Sequence, residues 1–141
     1  MIPVVVDASV AAKWLVREPL TDEALRLRGP DYDLFCPNFL FLEVGNVLWK
    51  KVRSRELEED IARLMVAALF EAPLRAERSA ALLPAAWEIS VRHDRSVYDA
   101  VYLALAVALD APLVTADRRL LQALRSTEME NRIIWVKDLP E

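Results

Sequence analysis

Apolar and polar positions along this chain follow two different periods. Val4-Val5-Val6 is a continuous apolar run ending at Asp7, the pattern of a strand buried on both faces of a parallel sheet. Leu34-Phe35-Cys36, closed by Pro37, reads the same way, as do residues 112–115 and 133–136, and residues 74–77 form a further short candidate. Between these runs the apolar spacing is helical, over residues 9–16, 21–28, 38–53, 54–71, 79–91, 96–109 and 117–124. Asn38 stands where it can cap the third helix. Ser54 ahead of Glu56, Glu58, Glu59 and Asp60 puts acids in a first turn, so the two long segments predict a helical hairpin. Strand and helix in this alternation predict βαβ units, hence an α/β three-layer sandwich with a central parallel sheet of four to five strands, in one domain over residues 1–141. Sheets of this kind bind ligands at the carboxyl ends of their strands, where the strand order reverses.

Composition narrows the chemistry. With 55% hydrophobic residues, 28% charged and only two glycines, the chain is a folded globular protein and not a disordered or collagenous one. One cysteine (Cys36) and one histidine (His93) cannot build a disulfide framework or a Cys/His zinc site, so a metal here must be held by oxygen. No basic segment precedes the first apolar run, and the longest uncharged stretch, residues 100–109, falls far short of the roughly 20 residues that cross a bilayer, so the expectation is a cytoplasmic protein with no membrane association. A formal net charge of −4 argues against gripping nucleic acid by bulk positive charge.

Four acids stand in apolar company. Asp7 and Asp117 each directly follow a strand, and if those strands are neighbours the two carboxylates face one crevice; an aspartate there also suits the N-cap of the next helix. Glu43 is the only charge in residues 37–49, where Glu43, Asn46 and Lys50 fall on one narrow polar stripe of an otherwise apolar helix, a pattern that a solvated stripe would also give. Gly45 inside that helix costs about 1 kcal/mol relative to alanine, which suggests a close approach to its backbone. Asp99 is the only charge in residues 96–109, a helix apolar all round and therefore buried, with Ser96 and Asp99 at capping-box spacing. Carboxylates crowded together repel and carry raised, coupled pKa values unless a cation neutralises them, and oxygen-only ligation favours Mg²⁺ or Mn²⁺.

In order and spacing, Val-Val-Asp7-Ala-Ser9, Glu43-x-x-Asn46, Ser-Val-Tyr-Asp99-Ala-x-Tyr-Leu-Ala and Leu-Val-Thr115-Ala-Asp117-x-x-Leu resemble the PIN-domain ribonucleases, specifically the VapC toxins of type II toxin-antitoxin pairs. The resemblance runs over essentially the whole chain. It implies a PIN-like fold and Mg²⁺-dependent endonucleolytic cleavage of RNA, with Mn²⁺ as a substitute. It also implies a cognate antitoxin as partner and matches Asp7, Glu43, Asp99 and Asp117 to the acidic metal-binding quartet, with Ser9, Asn46 and Thr115 as its polar support. A homodimer is a further expectation.

Local positive charge for an RNA backbone is present despite the acidic average. Lys13 lies one turn beyond Ser9, and Arg118-Arg119 follows Asp117; these three are the candidate phosphate contacts, and solvated surface cations are the alternative. Without the quartet, 18 acids stand against 18 bases, so the surplus negative charge equals that of the proposed site. Rival readings fit less well. A receiver-like signalling domain lacks its acidic pair at the first strand, a haloacid-dehalogenase-type phosphatase lacks Asp-x-Asp there, and dinucleotide binding lacks a Gly-x-Gly-x-x-Gly turn. A Cys36–His93 thiol dyad is disfavoured by the apolar strand around Cys36. A PIN-domain RNA-processing nuclease that is not a toxin, or a non-catalytic interaction domain that keeps the acids as caps, remain the alternatives.

Overall fold

Val5 and Val6 are completely shielded from solvent and Val4 nearly so, as a central strand requires. They belong to β1 (Ile2–Val6), and the computed structural model, which describes residues 1–140, continues through α1 (Ala8–Leu15), α2 (Thr21–Arg26), β2 (Tyr32–Pro37), α3 (Leu40–Arg53), α4 (Glu59–Leu69), β3 (Leu74–Glu77), α5 (Leu83–His93), α6 (Val97–Leu109), β4 (Leu113–Thr115), α7 (Arg118–Ala123) and β5 (Ile133–Trp135). All five strands are parallel, in the order β3-β2-β1-β4-β5. The chain works outward from β1 to β3 on one side, crosses back through α5 and α6, and resumes at β4 on the other side of β1. The reversal therefore lies between β1 and β4, whose register pairs Val5 with Leu113 and Val6 with Val114.

Helices cover the sheet, giving the α/β sandwich that the alternation predicts. Helix α6 lies against β1, β2 and β4, and every residue from Ala100 to Ala106 is buried, which explains why its sequence has no polar face. Ser96 Oγ caps this helix by accepting the Asp99 amide at 3.1 Å. Asp7 and Asp117 do cap α1 and α7: Asp7 Oδ1 accepts the Val10 amide at 3.2 Å, and Asp117 Oδ1 accepts those of Arg119 at 3.0 Å and Leu120 at 3.4 Å.

Three local expectations are corrected. Asn38 does not cap α3; its Oδ1 accepts Ser79 Oγ at 2.6 Å, and Ser79 Oγ in turn accepts the Phe39 amide, so this loop is tied to the segment after β3 and not to its own helix. Helix α4 begins at Glu59 and not at Ser54, because Arg55 turns left-handed (φ 64°) and breaks the helical path. Nothing lies within 4 Å of where a Gly45 β-carbon would stand, so no backbone approaches it. Gly45 lines an open apolar groove of about 430 Å³ between α3 and α4, with Phe41, Trp49, Val66 and Phe70. Gly45→Ala is therefore expected to stabilise the isolated chain by about 0.5–1 kcal/mol through helix propensity. A urea unfolding midpoint at or below that of the wild type would contradict this.

Candidate active site

The strand order places Asp7, at the end of β1, beside Thr115 and Asp117, at the end of β4. A short hydrogen-bond network joins the two ends. Ser9 Oγ donates to Asp7 Oδ1 at 2.5 Å and accepts the Ala116 amide at 2.9 Å; Thr115 Oγ1 donates to Asp7 Oδ2 at 2.5 Å and accepts the Asp117 amide at 3.0 Å. Ser9 and Thr115 thus support Asp7 by direct contact. Asp7 itself is buried, and that burial pushes its pKa up from 3.8 to about 6. Hydrogen bonds from Ser9, Thr115 and Val10 oppose the rise, and the negative Asp117 adds to it.

Helices α3 and α6 supply the other two acids. Burial raises the Glu43 pKa above the ordinary glutamate value, a hydrogen bond from Tyr102 opposes this, and Asp99 nearby adds to it. Tyr102 donates its hydroxyl to Glu43 Oε1 at 2.7 Å from a position one turn along α6 from Asp99. Its own pKa is raised, by burial first and then by Glu43. Phe39 packs edge-on against both Tyr98 and Tyr102, fixing the phenol that orients Glu43. The sequence pattern does not single out Tyr102, which reads as part of an apolar helix and shares a face with Asp99.

The acids lie as two neighbouring pairs, Asp117 adding negative charge beside Asp7 and Asp99 beside Glu43. Among the described residues no three acid, histidine or cysteine side chains close into a ready-made metal cage. Donor chemistry nevertheless fits a hard divalent cation. Every candidate donor is a carboxylate or hydroxyl oxygen, two of the acids have raised pKa values because they are desolvated, and Cys36 is unsuitable because burial pushes its thiol up to about 12. His93 is tied to another surface, 3.3 Å from Glu128, so no thiol dyad forms with it.

A cleft of about 390 Å³ opens over this site, lined by Ser9, Lys13, Glu18, Glu43, Asn46 and Asp117 among others. Asn46 is exposed on its wall. Lys13 is not free there: its Nζ stands 3.1 Å from Glu18 Oε1, and Lys51 approaches the other oxygen of the same carboxylate at 3.7 Å. Glu18 is a cleft residue that no local pattern announces, since it sits in an irregular turn after α1. Arg118 lies over the Trp135 ring, 4.8 Å from its centroid, and Arg119 is exposed beside it.

Comparison with known proteins agrees with this fold. The PIN domain family model matches residues 4–125. Ribonuclease VapC3 of Pyrobaculum aerophilum is 36% identical over 118 residues, 82% of this chain and 90% of that protein. Among solved structures, PAE2754 from Pyrobaculum aerophilum superposes with a TM-score of 0.70 at 23% identity, covering 96% of this chain and 92% of that one. The sarcin-ricin loop cleaving toxin VapC20 of Mycobacterium tuberculosis does so with a TM-score of 0.64 at 23% identity, covering 85% and 94%. These likenesses and the acid-lined end of the β1–β4 seam have one reading: this chain belongs to the PIN-domain family, among its VapC-type members.

Proposed function

We propose that this chain is a Mg²⁺-dependent endoribonuclease of one domain, acting as the toxin of a toxin-antitoxin pair and hydrolysing RNA phosphodiester bonds at the four-carboxylate site. The observation that carries the reading is Asp7: a buried carboxylate with a pKa near 6, held by Ser9 and Thr115 beside a second acid. Such an arrangement costs stability in a protein that needs only a fold, and a bound cation reverses the sign of that cost. Relatives named as ribonucleases support the same reading.

In this reading Asp7 and Asp99 ligate the cation, while Glu43 and Asp117 complete the shell or orient the attacking water. When bound, Mg²⁺ or Mn²⁺ supplies Lewis acidity, activates a water and stabilises the leaving oxygen. The protein's residues do the rest. Ser9 and Thr115 fix both oxygens of Asp7, Tyr102 fixes Glu43, and Asn46 offers an amide on the cleft wall. Lys13, Arg118 and Arg119 bind backbone phosphates, Lys13 after exchanging Glu18 for the RNA.

A cognate antitoxin and a homodimer belong to the same proposal, as does a cytoplasmic location. Apolar surface for such partners exists in the α3–α4 groove, with Trp49 54% and Phe70 67% exposed, and along α5, where Leu83, Trp87 and Val91 are exposed at four-residue spacing. No helix among the described residues is long and apolar enough to cross a membrane. The test is cleavage of structured and unstructured RNA by antitoxin-free protein with Mg²⁺ and with EDTA. Cleavage in Mg²⁺ alone is expected; cleavage that persists in EDTA overturns the mechanism, and none in either condition favours an interaction domain.

A further inference from the structure

Arg95 contacts the site in an unusual manner. It stands in the turn between α5 and α6, after Asp94 has taken the left-handed conformation (φ 52°) that ends α5. Its Nη2 reaches Asp99 Oδ2 at 3.3 Å, through one long contact and not the two parallel bonds that a guanidinium fork can make. Its Nε is buried and, among the described residues, has no hydrogen-bond partner. A guanidinium N–H without a protein partner is available to a further acceptor. The neighbouring Arg92 shows the contrast, bound to Glu128 at 2.6 Å on the outer surface of α5.

The place that Arg95 occupies matters more than the bond. Asp99 is the acid beside Glu43, and the guanidinium is the cation that Asp99 now has. A divalent ion seated on Asp99 would offer the carboxylate a stronger charge and weaken its single long hold on Arg95. The side chain is about one quarter exposed, on an acid that neighbours Glu43 of the cleft wall, and its planar head matches the paired oxygens of a phosphodiester. We infer that Arg95 is a displaceable counter-ion of Asp99, holding the carboxylate while no metal is bound and passing to the RNA backbone once metal takes its place. This rests on the reading of the site as a metal-dependent ribonuclease. Metal binding and RNA binding are then coupled through one side chain, which competes with the first and assists the second.

That opposition is measurable. In antitoxin-free full-length protein, Arg95→Met is expected to lower the Mn²⁺ concentration for half-saturation, read by calorimetry without RNA, about two- to fivefold, the range for losing one partly exposed ion pair. The same variant raises KM for an unstructured fluorogenic RNA about tenfold, as loss of a charged hydrogen bond to phosphate requires. Arg95→Lys keeps the charge but not the fork, so its Mn²⁺ midpoint stays near that of the wild type while KM stays raised. Melting temperatures close to wild type for both variants exclude a folding cause. Unchanged values in Arg95→Met, or a weakened affinity for both metal and RNA, overturn the role of Arg95 alone, provided the wild type binds Mn²⁺ and cleaves. A wild type that does neither overturns the functional reading with it.

Discussion

Asp99→Asn is expected to lower the rate of RNA cleavage by about a hundredfold or more while leaving the fold in place, the magnitude found when one preorganised charged or polar group is removed from a transition-state site. The expectation of an intact fold follows from what Asp99 does locally. Its amide, not its carboxylate, receives the Ser96 cap, and the carboxylate's one ion pair, with Arg95, is partly exposed. Asparagine keeps the amide and the side-chain shape. Of the four acids this is the cleanest to test, because Asp7 and Asp117 also cap helices and Glu43 is pinned by Tyr102. Single-turnover cleavage with saturating Mg²⁺, together with a melting curve, separates catalysis from stability. An Asp99→Asn enzyme that cuts at the wild-type rate would remove Asp99 from the mechanism.

The second large effect concerns stability without metal. Asp7 has a pKa of about 6 in the folded chain against 3.8 unfolded, so the folded state holds this proton more tightly. Stability then falls as pH rises from about 4 to about 6, and at pH 7.5 the metal-free protein is penalised by roughly 3 kcal/mol from this carboxyl alone. Burial raises Glu43 too, which adds in the same direction. In EDTA, the difference in melting temperature between Asp7→Asn and wild type is therefore expected to widen in favour of the variant as pH rises, by about 10 °C. Saturating Mg²⁺ or Mn²⁺ at pH 7.5 raises the wild-type melting temperature, by about 2.7 kcal/mol worth of stabilisation at a hundred times Kd, and leaves Asp7→Asn unmoved. Parallel melting profiles for the two proteins across this pH range, or equal gains with metal, would sink the account.

The candidate acids were legible because each breaks a strong local pattern. A charge directly after Val4-Val5-Val6, or alone in residues 96–109, stands out against an apolar background whatever the fold. Their supporting groups were less visible. Tyr102 reads as core, and only the 2.7 Å bond to Glu43 across 59 residues of sequence gives it a task. Gly45 shows the opposite failure: its helix cost was real, but the inferred close neighbour is absent, and the residue opens a groove instead. Asn38 has the right chemistry for a cap, yet Ser79, 41 residues away, outcompetes the local amides for its side-chain oxygen.

Element types along the chain and the burial of β1 and α6 followed from sequence alone, and the four candidate acids were named by it, because periodicity and composition are properties of neighbouring residues. Pairing was not. That Asp7 meets Asp117, that Glu43 couples to Asp99, that Lys13 is held by Glu18 and that Arg95 sits on Asp99 depend on the strand order β3-β2-β1-β4-β5 and on where α3, α6 and the turn before it come to rest. The physical reason is range: hydrophobic patterning acts over a turn of helix or a few residues of strand, whereas electrostatic coupling falls off within several ångströms and exists only once packing has brought distant carboxylates to one end of the sheet.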